Sequence, residues 1–270
     1  MILYQGKYEV KRQHPYVIVN NETGEELRPP GVTSITGNIG SKEAIPQWAS
    51  NTAAQTAIDI FNDYKPAEVY DIARKKYIEL RNDAGEGGTE GHKWIETYLK
   101  GELEDEYCFE SEHGIQFVEA YLEFEKDHPF DAHVAESLLF SEKYFYAGQR
   151  DDLVSRGGVY GTLDFKTGNP DFEYNSYTKK YSGRVKPYDA HRMQDAGYDL
   201  AEMEENGRIS DFYGVVYLVK DPEELAKKYN IEPRKYFYFE TDNTPYWRDS
   251  FLHARSLFDI SKNNPYREVA

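Results

Sequence analysis

The chain has 270 residues, 39% of them hydrophobic, with 24 Tyr, 14 Phe and a formal net charge of −16. That is enough apolar material for a sizeable core, and the acidity excludes a uniformly basic nucleic-acid coat, so any contact with a polyanion must be local. A single cysteine, Cys108, excludes a disulfide framework and any four-cysteine zinc or iron–sulfur site within the chain.

The opening Met1-Ile2-Leu3-Tyr4-Gln5-Gly6-Lys7 lacks the apolar run of a signal peptide, and no stretch approaches the roughly 18 apolar residues of a membrane helix. A reducing, cytoplasmic setting without a membrane partner is expected. Residues 1–35 alternate like short strands (Tyr8, Val10; Val17, Val19) around the turn Asn20-Asn21-Glu22-Thr23-Gly24. Gly37-Asn38-Ile39-Gly40-Ser41-Lys42 lacks the spacing of a phosphate-binding loop and reads as a loop before a helix opening at Glu43. Pro66 to Arg81 carries Val69, Ile72, Ala73, Tyr77 and Leu80 at helical spacing. Gly85-Glu86-Gly87-Gly88 is expected to break that helix, with others near His92–Leu99 and Ile115–Phe124. From 133 the period changes to two. Val134–Phe140, Tyr144–Val154 and Val159–Lys166 read as consecutive antiparallel strands, the last two joined by Ser155-Arg156-Gly157-Gly158. A helix near Asp189–Glu205, strands Phe212–Val219 and Tyr236–Glu240, and a closing helix near Tyr246–Ile260 complete an α/β (α+β) order. One domain is expected over 1–270, with 1–130 mainly helical behind short leading strands and 131–270 forming the sheet core.

The chemistry concentrates in Tyr160-Gly161-Thr162-Leu163-Asp164-Phe165-Lys166-Thr167-Gly168. In a strand, Leu163 and Phe165 share one face and Thr162, Asp164 and Lys166 the other. A carboxylate and an ammonium two apart suit a metal ligand beside a positive group, although an ordinary solvent-facing ion pair has the same pattern. An even loop after Val154 sets Asp151 opposite Thr162, diagonal to Asp164, and turns Asp152 away; an odd loop with a bulge would reverse this. Two carboxylates on neighbouring strands are hard ligands suited to Mg²⁺, with Mn²⁺ as a substitute. Such an ion can activate water and orient a phosphate, while Lys166 offsets transition-state charge. A pair of carboxylates would also serve a glycosidase, but Lys166 has no required place in that chemistry. Residues 172–188 interleave Phe172, Tyr174, Tyr177, Tyr181 and Tyr188 with Lys179, Lys180, Arg184 and Lys186. Rings there could stack bases while cations track a backbone, or the tyrosines could simply pack on one another.

Gly148-Gln149-Arg150-Asp151, then Asp164-Phe165-Lys166, then Gln194-Asp195-Ala196-Gly197-Tyr198 resembles the RecB-like branch of the PD-(D/E)XK nucleases. Gly88-Thr89-Glu90-Gly91-His92 matches that branch's Gly-x-x-x-His, and Glu136 its upstream strand acid, so the likeness covers about residues 88–198. The resemblance implies a restriction-endonuclease-like mixed central sheet flanked by helices, with a helical N-terminal half walling the site. It implies that Asp151, Asp164, His92 and the Phe165 carbonyl border a Mg²⁺ ion and that Lys166 is the catalytic lysine. Glu136, Gln194 and Tyr198 would assist catalysis, with Gln194 and Tyr198 orienting the lysine or the phosphate. One cysteine excludes the iron–sulfur members. What remains is similar to the stand-alone phage exonucleases and the mitochondrial genome-maintenance exonuclease. That implies an end-dependent DNA exonuclease of recombination, repair or phage DNA processing. Its substrates would be single strands or duplex ends, and a single-strand annealing or binding protein is the expected partner. A catalytically silent DNA-binding or assembly protein on the same fold and a structure-specific endonuclease are the alternatives.

Overall fold

Four short antiparallel strands open the chain: β1 (Ile2–Leu3), β2 (Tyr8–Gln13), β3 (Tyr16–Asn20) and β4 (Glu26–Leu27). The computed structural model describes residues 2–37, 44–103, 107–109, 111–175 and 177–262. The expected loop through Asn38–Lys42 therefore lies outside the described residues. Asn20 closes the β3–β4 turn, its side-chain oxygen accepting the Glu22 and Thr23 N–H groups at 2.9 and 3.2 Å. Tyr8, Tyr16 and Ile18 bury themselves against Leu138 and Phe140, which ties this small sheet to the main one.

Helices α1 (Val32–Thr36), α2 (Ala44–Ile60), α3 (Pro66–Leu99) and α4 (Glu112–Asp127) follow. The glycine cluster at 85–88 does not break α3, contrary to expectation. The helix runs unbroken for 34 residues, or about 51 Å at 1.5 Å per residue. Glycine in a helix interior costs about 1 kcal/mol each, and here close packing offsets the cost. A Cβ on Gly87 would stand 2.6 Å from His113 Cβ, one on Gly88 2.5 Å from Thr167 Oγ1, and one on Gly91 3.1 Å from Phe117 Cβ. These glycines let α3 lie against α4 and the sheet.

The main sheet is built from β5 (Ala132–Ser141), β6 (Tyr146–Arg156), β7 (Val159–Thr167), β10 (Phe212–Leu218) and β11 (Tyr236–Thr241). Between them lie a hairpin, β8 (Asp171–Asn175) and β9 (Lys180–Lys186), and two helices, α5 (Asp189–Asn206) and α6 (Pro222–Tyr229); α7 (Thr244–Lys262) follows β11. The hairpin and α6 were not anticipated from the sequence. The sheet order is β11-β10-β7-β6-β5, with β10 parallel to β7 and the other pairs antiparallel. Helices α3 and α4 cover one face, where Trp94, Phe117, Tyr121 and Phe124 meet Leu163, Phe165 and Val216. On the other, Val32 of α1, Met193 and Ala196 of α5 and Trp247 and Phe251 of α7 meet Leu139, Tyr146 and Tyr213. The expected mixed sheet flanked by helices is thus observed. Burial on both sides explains why β10 is apolar throughout and buried at all seven positions. Among the described residues, no helix is long and apolar enough to cross a membrane.

Candidate active site

The β6–β7 turn sets the site. It has two residues, Gly157 and Gly158, at φ +58° and +85°, the geometry of a tight hairpin turn that glycine adopts without strain. The strands therefore pair as far as Arg156–Val159, and the register runs back to Asp152–Leu163. Carried one step past its last pair, the same register sets Asp151 opposite Asp164. The expectation that Asp151 would face Thr162 is corrected by two residues, because the turn is shorter than the four-residue loop assumed. The paired register ends there: the Phe165 N–H is taken by Asp151 Oδ2 at 2.7 Å. On the next strand, Ala135–Asp152 and Ser137–Arg150 bracket Glu136, whose φ of +51° interrupts the β5–β6 ladder beside Asp151. Three carboxyl groups, Glu136, Asp151 and Asp164, thus stand in a row across three adjacent strands.

A chain of contacts fixes the lysine. Lys166 Nζ lies 2.6 Å from the Asp164 carboxylate and donates to Gln194 Oε1 at 3.3 Å; Gln194 Nε2 in turn donates to the Tyr198 hydroxyl at 2.6 Å. Gln194 and Tyr198, one helical turn apart on α5, present the same face to the sheet. The Tyr198 ring rests on Gly148, where a Cβ would stand 2.5 Å from Cε1. From the opposite wall, the close approach of Gly88 to Thr167 brings α3 against β7, and His92, one turn on, reaches the site. The site borders a cavity of about 600 Å³ lined by His92, Glu136, Gly148, Asp151, Gln194 and Tyr198.

The electrostatics follow from burial. Burial raises the Asp164 carboxyl to about 6, with Lys166 opposing and Asp151 reinforcing the shift. Burial likewise raises Asp151, against Lys166 and the Phe165 N–H. Glu136 is pushed up to about 7 by burial and by Asp151; its carboxylate is held by Gln149. Burial works against the Lys166 ammonium, but Asp164, Asp151 and Asp195 outweigh it and hold the lysine protonated. His92 is lowered to about 4, by burial and then by Lys166, so its imidazole is neutral.

Three carboxyl groups, Asp151, Asp164 and Asp195, therefore share one half-buried ammonium. Asp195 is 0% exposed and neither of its oxygens has a hydrogen-bond partner among the described residues. Such a set of hard oxygens with surplus negative charge fits a divalent cation such as Mg²⁺ or Mn²⁺, with Asp151 and Asp164 as the residues to hold it. As the side chains are placed, no three His, Cys, Asp or Glu groups converge among the described residues.

Asp152 stands apart from this constellation. It pairs in register with Leu163, is 0% exposed, and accepts the Val134 N–H at 3.1 Å while its Oδ2 lies 2.6 Å from His133 Nδ1. The basic and aromatic residues from Phe172 to Lys186 form the β8–β9 hairpin, which leaves β7 at the site's edge, while Tyr188 stands at the start of α5. Its tyrosines divide. Tyr181 packs against Tyr174 and Tyr229, whereas Tyr177 at the tip is 96% exposed. Lys179 and Lys180 are exposed at the same tip, Arg184 lies 3.9 Å from Glu173, and Lys186 lies 3.6 Å from Asp171. Sequence reasoning passed over Asp195, although it sits inside Gln194–Tyr198, over His191, one turn before Gln194 on α5, and over Tyr217, which reaches the site through the β7–β10 pairing.

No protein-family model matches the chain, and no curated protein does. Solved structures do. One is a protein from Eubacterium rectale whose assignment as an exonuclease is itself provisional: 12% identity, 67% of this chain, 69% of that chain, TM-score 0.43. Another is LHK-Exo in complex with dAMP: 15% identity, 79% and 89% coverage, TM-score 0.34. A third is the alkaline exonuclease LHK-Exo from Laribacter hongkongensis: 14% identity, 71% and 84% coverage, TM-score 0.29. These similar structures are exonucleases by name.

Proposed function

We propose that this chain is a Mg²⁺-dependent deoxyribonuclease of the PD-(D/E)XK type, an exonuclease that hydrolyses DNA phosphodiesters from an end in recombination, repair or phage DNA processing. The observation that carries the reading is the Asp151–Asp164 pair with the Lys166 ammonium 2.6 Å from Asp164, Asp151 lining the larger cavity and Lys166 a smaller one beside it. An ammonium held at one carboxylate has no required place in glycoside hydrolysis, whereas phosphodiester hydrolysis is helped both by metal-binding carboxylates and by a fixed positive charge.

Asp151 and Asp164 would hold the ion, with the Phe165 carbonyl and His92 at its border. The bound ion supplies water activation and neutralisation of phosphate charge. Lys166, protonated, is a charge donor to the developing phosphorane-like oxygens rather than a base. Gln194 and Tyr198 hold its head in place. Glu136, titrating near neutrality, can accept a proton from water at working pH. Neutral His92 can hydrogen-bond without adding charge. Single-stranded DNA or a duplex end is the substrate, and a single-strand annealing or binding protein a partner.

The wall formed by α3 supports end dependence, because a strand passing beneath His92 is more easily threaded than clamped. The test is linear and covalently closed circular DNA, single- and double-stranded, end-labelled where ends exist, with Mg²⁺ or chelator. Mg²⁺-dependent loss of linear molecules with circles intact is the expected result. Degradation of circles would mean an endonuclease, and cleavage in excess chelator would remove the metal mechanism.

A further inference from the structure

The site has a second mouth. Beyond Lys166 a smaller cavity of about 320 Å³ opens, walled by Asp151, Lys166, Gly168, His191 and Tyr217 among others. His191 stands in the first turn of α5 and Tyr217 on β10. Burial, and then Lys166, lowers the His191 imidazole to about 3, so the ring is neutral and only one nitrogen carries hydrogen. Tyr217 decides which. Its hydroxyl accepts the Tyr188 backbone N–H at 3.0 Å and stands 2.8 Å from His191 Nδ1. Tyr217 is 1% exposed, and no other acceptor for its proton is found among the described residues. A buried O–H left unbonded is costly, so the hydroxyl donates to Nδ1. The hydrogen of the ring is then on Nε2, which makes no hydrogen bond among the described residues, on a side chain that lines the cavity.

We propose that this mouth is a second phosphodiester subsite, in which His191 donates from Nε2 to a non-bridging oxygen of the phosphate next to the one held at Asp151 and Asp164. The inference rests on the nuclease reading. A neutral donor suits the place: an imidazolium would be repelled by Lys166, and a carboxylate would repel the strand. Tyr217 is the positioning residue that fixes the tautomer.

Two substitutions separate contact from packing. His191→Gln puts an amide donor near the position of Nε2, while His191→Phe keeps a ring and removes the donor. With end-labelled single-stranded DNA and Mg²⁺, the Phe variant should raise KM about tenfold with kcat within about twofold, as expected for one hydrogen bond to a charged group. The Gln variant should stay near wild type. Nitrogen-15 NMR of the wild type should show the Nε2–H tautomer, and Tyr217→Phe a mixture of the two. An Nδ1–H tautomer in the wild type, or an unchanged KM in His191→Phe while the wild type cleaves, overturns this inference alone. A wild type that cleaves nothing overturns the nuclease reading and this inference together.

Discussion

Gly148→Ala tests the contact chain behind the lysine. The added methyl would stand 2.5 and 3.0 Å from Tyr198 Cε1 and Cδ1 and 2.9 Å from Val32 Cγ2. Carbon atoms pack best at about 3.5–4.0 Å, so the Tyr198 ring must move by roughly 1 Å. Tyr198 is 3% exposed and packed into the α1–α5–α7 core, so the ring can yield only toward the site cavity that it lines. Overpacking of this kind costs about 1–3 kcal/mol, which for a chain of this size lowers Tm by roughly 2–12 °C. The ring carries with it the hydroxyl that holds Gln194, and through Gln194 the Lys166 ammonium. A misplacement of about 1 Å at a reacting group can cost on the order of 100-fold in rate, so kcat should fall by about that factor with Mg²⁺ affinity little changed. The assay is differential scanning fluorimetry beside exonuclease kinetics. Gly85→Ala is the control: nothing lies within 4 Å of its Cβ position, and the substitution should stabilise α3 by about 0.5–1 kcal/mol. A Gly148→Ala protein that melts with the wild type and turns over normally would refute the reasoning.

Asp151→Ala, Asp164→Ala and Lys166→Ala should each abolish cleavage in a folded protein. Asp152→Ala should instead lose about 1–3 kcal/mol in denaturant titration at unchanged kcat, since it strands His133 and the Val134 N–H. The pH dependence has a definite sign. A carboxyl raised from about 3.8 to about 6 gives Asp164 a contribution to stability that is full below about pH 4 and lost as pH rises through 6. Thermal midpoints in chelator should accordingly carry a falling component between pH 4 and 7. Mg²⁺ should raise them at pH 8 and not at pH 5, where it must displace protons; no shift at pH 8 would count against the ion. Replacing Lys179, Lys180, Arg184 and Lys186 by Ala should weaken single-strand binding and reduce its log–log salt slope by roughly 1.4–2.8, the lower figure if the Glu173 and Asp171 partners already neutralise Arg184 and Lys186. Tyr177→Ala should cost about 1–3 kcal/mol of single-strand affinity, whereas Tyr181→Ala should chiefly loosen the hairpin; equal binding losses would contradict that division.

Period-two alternation was sufficient to put Asp164 and Lys166 on one face of a strand with Leu163 and Phe165 on the other, because side-chain direction along a strand is a local property of the backbone. Spacing by four likewise put Gln194 and Tyr198 on one side of α5. The class of the fold was legible for the same reason, since helices and strands announce themselves by their periods. What alternation could not supply was which elements lie beside which. Asp151 faces Asp164 rather than Thr162 because the turn closes on two glycines, and a two-residue change of register leaves every alternation intact. The glycines of α3 read locally as a helix break, yet Thr167, His113 and Phe117, distant in sequence, fill the space that side chains would have taken. Tyr217 joins the site because β10 crosses back to lie parallel to β7, which also sets its hydroxyl beside His191 of α5. Faces and periods are short-range and belong to the sequence by itself; register, close approach and the shared charge of three carboxyls and one lysine arise from burial between distant segments, and only the tertiary structure decides them.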